Sequence, residues 1–400
     1  MCEEYSERRV VDVGERFVIV GAGVAAVSAA EQIRRLHSEA SIVMIGEEEA
    51  LPYHRPSLSR GLILPGVGER FALRSPEWYS RQGVFLLTGR RVTRLLPRTK
   101  QVELADGTVL SYDKCILATG RESVLPALEG VALPGVFTLR SRQDLERLAR
   151  YLRPDMRAVV IGGGPLGLES AWQLFLGGCH VTVLEEAAYL LRGQVGQRVS
   201  ERLIRIAAER GVEIRTGVRV KRLAGEDGAG VEQVILPGEY LNADLVMLCC
   251  GSSPRVELAR EAGLEVGCGI TVNSRMMTEK YGVYACGDCA ELGRVLCSSV
   301  AVAQEMGRCA GRNAAGEDTL YRPAPAQLWM EAFGTRLFAT GECGTWEDDV
   351  SEEYFLDANG GEQFLYRRAG RLSGAVLLGN TDAAQALIEQ ISPIRIPTEV

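Results

Sequence analysis

Two glycine clusters carry the chemistry most readable in this chain. Gly21-Ala-Gly23-Val-Ala-Ala26 follows the apolar strand Phe17–Val20 and leads into a helical stretch from Val24 to about Leu36. Gly162-Gly-Gly164-Pro-Leu-Gly167 follows Ala158–Ile161 and opens a second helix that runs to about Leu176. Each unit closes with another apolar strand that ends in acid, Ser41–Ile45 before Glu47 and Val181–Leu184 before Glu185. A helix N-terminus offers free N–H groups to an anion, and its dipole favours the charge of a pyrophosphate. In such a turn the first glycine makes the bend, the second admits the phosphate, and the third lets helix and strand pack. The acid accepts ribose hydroxyls. Ala26 stands at the third place of the first copy. One such pattern is weak evidence for a ligand, but two in the correct strand, turn, helix and strand context point to two dinucleotides. Glu185 and Glu186 would repel a 2′-phosphate, so the second site should prefer NADH over NADPH, a preference that Arg192 nearby moderates.

The elements that must position these turns need more than one core. A chain of 400 residues suits two or three domains. Between the two units, Val102–Val109 around Asp106-Gly107 reads as a hairpin and leads into the strand Lys114–Ala118, followed by Thr119-Gly120. Leu245–Cys249 before Gly251 repeats that strand-to-glycine junction. From about Tyr321 the texture changes to alternating strands, including Gln363–Arg367 and Leu372–Leu378, and a terminal helix at Asp382–Ile391.

Other features narrow the function classes. No apolar run reaches a membrane span, and the N-terminal stretch has no signal-like h-region, so a cytoplasmic protein is expected. A net charge of −7 argues against a nucleic-acid partner. Residues 51–100 hold nine Arg and Lys100 against Glu69 and Glu77, whereas 342–362 hold eight acids and no Arg or Lys. The histidines His37, His54 and His180 have no metal-ligand spacing, and no metal is expected. The eleven cysteines are expected as reduced thiols. Cys286-Gly-Asp-Cys289 is either a redox pair or two small packing residues, and packing is favoured. An iron–sulfur site that adds Cys297 and Cys309 has irregular spacing and is disfavoured.

The whole chain resembles the FAD-dependent pyridine nucleotide reductases, nearest the rubredoxin and ferredoxin reductase branch. Beyond the glycine turns, the resemblance is carried by Leu51-Pro-Tyr-His-Arg55-Pro-Ser-Leu-Ser59-Arg60, Tyr112-Asp-Lys-Cys-Ile-Leu-Ala118-Thr119-Gly120 and Tyr284-Ala-Cys-Gly287-Asp288-Cys-Ala-Glu. It implies an α/β fold with two Rossmann-like dinucleotide-binding domains. The FAD domain is discontinuous (1–118 and 244–320), the NAD domain is inserted (119–243), and a small α+β domain closes the chain (321–400). It further implies that Asp288 holds the ribityl chain of FAD and that the Arg55 segment runs beside the flavin. Arg60 stands where relatives carry Lys next to flavin N5, and an Arg60–Glu169 pair is expected. Arg121 follows Gly120 directly, out of register with the arginine that relatives place near the pyrophosphate. Leu328-Trp329-Met-Glu-Ala-Phe-Gly334 resembles the segment that sets a Trp beside the flavin, where Trp329 could shield the ring or mark an electron exit.

The expected function is transfer of electrons from NADH through FAD to a small acidic redox protein, steered by the basic stretch. Two readings compete with it: an oxidase or reductase of a small-molecule acceptor, and a non-catalytic NADH-sensing flavoprotein. Neither a dithiol on the FAD helix nor a CxxC in the NAD domain is present to serve as a thiol relay. A homodimer is compatible with all three.

Overall fold

The computed structural model describes residues 14–391 except 63–70, 227, 229, 297–298, 324, 345–348 and 359. The N-terminal stretch through Val13, Glu69 and Arg70 of the basic stretch, Cys297, and Glu347 and Asp348 of the acidic stretch lie outside the described residues. So does the chain from 392 onward.

Both glycine units form as the sequence predicts, because each places two buried strands on either side of an amphipathic helix. Strands Arg16–Val20 and Ser41–Ile45 flank the helix Val24–Leu36, and Arg157–Ile161 and His180–Glu185 flank the helix Pro165–Leu176. The first unit sits in a five-stranded parallel sheet ordered Val283–Ala285, Lys114–Leu117, Arg16–Val20, Ser41–Ile45, Val84–Leu87. Its outer strand Val283–Ala285 comes from far along the chain, so this sheet is built from two separated segments. The second unit sits in a parallel sheet ordered Glu213–Thr216, His180–Glu185, Arg157–Ile161, Leu245–Leu248, Val136–Phe137. Each Rossmann unit also carries a three-stranded antiparallel sheet, the first spanning Val92–Ser111 and turning at Gly107 with φ +83°.

One expected boundary moves. Leu245–Leu248, which a break at 243/244 assigns to the FAD half, lies in the second sheet, hydrogen-bonded beside Arg157–Ile161. All four of its residues are buried, so the strand belongs to the core of the inserted unit. The chain crosses back through Ser252–Pro254, which pairs antiparallel with the outgoing segment Arg121–Ser123. The two connections of the inserted unit therefore run side by side as one short ribbon.

The C-terminal residues form a five-stranded antiparallel sheet ordered Gln327–Ala332, Thr335–Gly341, Arg371–Leu378, Glu362–Arg368, Val350–Leu356, with the helix Ala384–Gln390 on one face. The other face does not build a core of its own. Leu337, Phe364, Tyr366 and Val376 join Val160 and Val183 of the second parallel sheet in one continuous apolar cluster. Tyr53, Leu58 and Leu62 of the segment around Arg55 enter that same cluster, whereas the first parallel sheet packs in a separate one. No helix among the described residues is long and apolar enough to cross a membrane.

Candidate active site

The two glycine turns have the same geometry. Gly21 (φ +119°) and Gly162 (φ +117°) adopt backbone that L side chains rarely take, and a Cβ on either would run into a carbonyl oxygen, of Ala118 and of Cys249 respectively. Around Gly23 and Gly164, by contrast, a Cβ would meet nothing within 4 Å. These two glycines are the N-caps of their helices and make no side-chain cap, so first-turn N–H groups stay free for an anion, in the second helix those after Pro165, which has none. The third positions differ for a local reason. A Cβ on Gly167 would collide with the Gly162 carbonyl oxygen, while the Ala26 methyl is fully buried. The first helix is also held by something the sequence reading missed. The helix Val300–Ala314 lies so close against it that Gly307 and Gly311 touch the backbone of Ala25 and Ala29.

At the second turn the Glu185 carboxylate accepts the Gly163 N–H at 2.5 Å and the Ala187 N–H at 2.6 Å. It thus sits against the loop that a dinucleotide would occupy. Glu186 beside it pairs with Arg219 at 3.4 Å, both side chains being exposed. At the first turn Glu47 takes Arg255 at 2.5 Å and Arg91 at 3.5 Å.

Asp288 is half-buried, at the start of a short helical turn after Cys286. Burial raises its carboxyl above the ordinary range, opposed by Arg140, Arg121 and Arg55. Arg140 approaches it at 3.7 Å and is itself pushed down to about 10 by burial and by Arg55. Arg55 is fixed by Glu48 at 2.8 Å and by the Tyr53 hydroxyl at 3.1 Å, and also donates to the Arg140 carbonyl. Three guanidinium groups against two carboxylates, Asp288 and Glu48, leave an excess of positive charge, and the buried Arg121 Nε has no hydrogen-bond partner. Together with the open ground at Gly23, this cluster fits a bound diphosphate. Arg121 therefore reaches this cluster despite its shifted register. Arg140 was not legible as a site residue, because it lies in a loop after the strand Val136–Phe137 with no motif around it.

The expected Arg60–Glu169 pair is replaced. Glu169 accepts the Ser59 hydroxyl at 2.8 Å and the Glu331 backbone N–H at 3.2 Å, while Arg60 approaches the Glu331 carboxylate at 4.0 Å. The long, planar guanidinium reaches outward to an exposed acid rather than losing hydration beside the more buried one. Burial raises the Glu169 carboxyl, and the Ser59 hydrogen bond opposes the shift. Trp329 lies two residues before Glu331 on the same edge strand. It is 55% exposed, with its ring 4.5 Å from Phe338. His54 lies close by, hydrogen-bonded to Ser57, and burial and Arg60 hold its imidazole below the ordinary value.

Thr119 and Gly120 tie the junction to the returning chain. The Thr119 hydroxyl donates to the Arg255 carbonyl at 2.8 Å, and the Arg255 N–H donates to the Gly120 carbonyl at 2.9 Å. Gly287 (φ +73°) lies against Ala25, which brings the Asp288 turn to the start of the first helix. Cys286 and Cys289 are fully buried, and burial raises both thiols. Their environment is that of packing residues. The basic stretch is not a free cationic face: Arg55, Arg60, Arg74, Arg90, Arg91 and Arg94 all pair with carboxylates. In the acidic stretch Glu352, Glu353 and Glu362 are likewise paired with Arg198, Arg367 and Arg202.

Two parallel sheets, each ending in an anion-ready glycine turn and joined by one short ribbon, define a two-dinucleotide oxidoreductase. The chain belongs to the pyridine nucleotide-disulphide oxidoreductase family, whose model matches residues 15–307. It is 33% identical over 329 residues to the ferredoxin–NAD(+) reductase subunit of the benzene 1,2-dioxygenase system of Pseudomonas putida, covering 81% of this chain and 80% of that one. It is 32% identical over 333 residues to the rubredoxin–NAD(+) reductase of Pseudomonas putida, covering 81% and 86%. Among solved structures, the covalent putidaredoxin reductase–putidaredoxin complex matches with a TM-score of 0.86 and 31% identity over 94% of each chain.

Proposed function

We propose that this chain is an NADH-dependent flavoprotein reductase that passes electrons to a small redox protein of the ferredoxin or rubredoxin kind. The observation that carries the reading is the pair of matched turns, in two units joined by the ribbon of Arg121–Ser123 and Ser252–Pro254, in a chain whose relatives are named for that reaction. In this reading FAD occupies the first turn. Gly21, Gly23 and Ala26 shape the helix start, Glu47 accepts ribose hydroxyls, and Arg55, Arg121, Arg140 and Asp288 surround the diphosphate and ribityl region. NADH occupies the second turn, at Gly162, Gly164, Gly167 and Glu185. Bound flavin supplies the hydride acceptor and the electron donor.

The protein's own part is orientation and charge. Ser59 and the Glu331 N–H fix the Glu169 carboxylate, Arg60 supplies a positive charge at the domain junction, and the strand Lys114–Leu117 with Ala118, Thr119 and Gly120 forms the floor between the two sites. Trp329, exposed on the edge strand, marks the exit toward the carrier. The free state of the nine described cysteines agrees with a reducing compartment such as the cytoplasm.

The test is an anaerobic acceptor screen with NADH and NADPH side by side. The purified protein should be yellow and bleach on addition of NADH, and ferredoxins or rubredoxins should accelerate its reoxidation. Persistent colour with no NADH oxidation would remove the reading. Fast peroxide formation in air with no response to any carrier would replace it with an oxidase.

A further inference from the structure

Arg255 joins three parts of the first site that are far apart in sequence. Its Nη1 donates to Glu47 Oε2 at 2.5 Å, across 208 residues of chain. Its backbone N–H and carbonyl bind Gly120 and Thr119 at the junction. Its Nε is buried, makes no hydrogen bond, and has the Glu122 carboxylate at 3.8 Å. Glu47 is an exposed residue just beyond the strand Ser41–Ile45, and among the described residues the two arginines alone restrain its carboxylate. Of these, Arg91 is the looser partner, at 3.5 Å and 70% exposed.

A carboxylate that is to accept two ribose hydroxyls must hold both oxygens in one orientation. An unrestrained exposed Glu would lose its rotamer freedom on binding, and that loss weakens affinity. Where arginines already hold both oxygens, Arg255 on Oε2 and Arg91 on Oε1, much of that freedom is lost in the folded protein before any cofactor binds. The charge-assisted bond is short and directional, and a carboxylate oxygen has a second lone pair to offer. The backbone bonds to Thr119 and Gly120 matter as much, since they anchor the arginine to the floor of the same site rather than to a mobile loop.

We propose that Arg255 is a positioning residue that acts through Glu47 to set how tightly this chain holds the adenosine end of its flavin dinucleotide. This rests on the assignment of FAD to the first turn. Because that assignment puts Glu47 at the adenosine end of the cofactor, away from the flavin, the clamp governs retention of the cofactor and leaves the rate of its reduction alone.

The experiment follows release of FAD from diluted holoprotein by the rise in flavin fluorescence, for the parent, Arg255→Met, Arg255→Lys, Glu47→Gln and the Arg255→Met/Glu47→Gln pair. Arg94→Met, which breaks an exposed ion pair with Glu103 on the hairpin sheet, controls for loss of a surface charge. Arg255→Met and Glu47→Gln should each raise the FAD dissociation constant about tenfold. The double variant should be no weaker than the singles, Arg255→Lys should fall between Met and the parent, and Arg94→Met should match the parent. With saturating FAD, reduction by NADH should stay within about twofold of the parent in Arg255→Met, Arg255→Lys and Arg94→Met. An unchanged dissociation constant in Arg255→Met, or effects of the two singles that add in full, overturns the proposal. A lowered melting temperature with unchanged FAD affinity makes Arg255 a structural strut and overturns it equally. Parent protein that binds no FAD defeats the cofactor assignment itself, a result distinct from these.

Discussion

Glu169 is a carboxylate whose surroundings favour the protonated form, since burial raises it more than the Ser59 hydroxyl and the Glu331 N–H can offset. The sign of its effect on stability follows. Below the unfolded value of about 4.3 both states hold the proton and there is no penalty; as pH rises through the raised folded value, the native state bears a cost that the unfolded chain does not. Glu169→Gln should therefore melt about 1–3 °C above the parent at pH 8, a difference that disappears near pH 4. Thermal scans at the two pH values check this, and an equal difference at both would mean that desolvation is not the cause. Glu185 offers a second test. Replacing Glu185→Ser together with Glu186→Arg removes two charges that repel a 2′-phosphate and releases Arg219. The ratio of kcat/KM for NADPH over NADH should then rise about tenfold or more. No change in the ratio would displace the ribose contact from this position. Glu47, Glu185 and the glycines were readable in the sequence because backbone geometry dictates them at fixed spacing. Arg140 and Arg255 were not, because each reaches the site from a segment whose local sequence carries no sign of it, and Glu331, though inside the segment around Trp329, was not because its backbone N–H and not its residue type makes the contact. The Arg60–Glu169 expectation failed for a related reason: a residue type can be aligned, but where a long side chain ends depends on which acid is better hydrated.

The turns separate two jobs that glycine performs, and substitution can tell them apart. Gly21 is needed by the fold itself, having a positive φ and the Ala118 carbonyl oxygen where a Cβ would go, whereas Gly23 has open space. Gly23→Ala should leave the melting temperature of cofactor-free protein within about 1 °C of the parent yet weaken FAD binding about tenfold or more, because the methyl stands where the phosphate approaches. Gly21→Ala should lose the fold, read as loss of soluble protein. Equal behaviour of the two variants in both measurements would count against the turn as a phosphate site. The helices and strands of both units were legible to within a residue or two, since strong periodicity and glycine punctuation coincide there. The 243/244 boundary was not, because an apolar strand such as Leu245–Leu248 fits the core of either sheet, and its register beside Arg157–Ile161 is a tertiary fact.

Across the whole molecule, charge patterning along the chain proved a poor guide to surface charge. Six arginines of the basic stretch meet carboxylates from elsewhere, so long-range attraction of an acidic carrier is weaker than the sequence suggests. The rate constant kcat/KM for such a carrier should accordingly fall less than about tenfold between roughly 0.05 and 0.5 M salt. A much steeper decline in stopped-flow or steady-state assays would reveal a cationic face that these pairs do not neutralise. The apolar cluster shared by the second parallel sheet and the C-terminal sheet makes a different demand. A chain ended at residue 320 would expose the Trp172 ring, which packs against Phe333, and the rest of the apolar surface that the second unit shares with the C-terminal sheet, and it should be recovered as aggregate rather than as a two-domain protein.

The short ribbon formed by Arg121–Ser123 and Ser252–Pro254 bears on how such a molecule can be recombined. Its two strands enter and leave the inserted unit at one place, so the unit is attached like a cassette whose ends already lie together, a geometry that tolerates exchange between relatives. Yet that cassette shares its interior with the C-terminal sheet and with the segment Tyr53–Leu62. A graft that changes nucleotide preference must therefore carry three non-contiguous pieces of chain, and crossovers that move residues 121–254 alone would leave mismatched apolar faces behind.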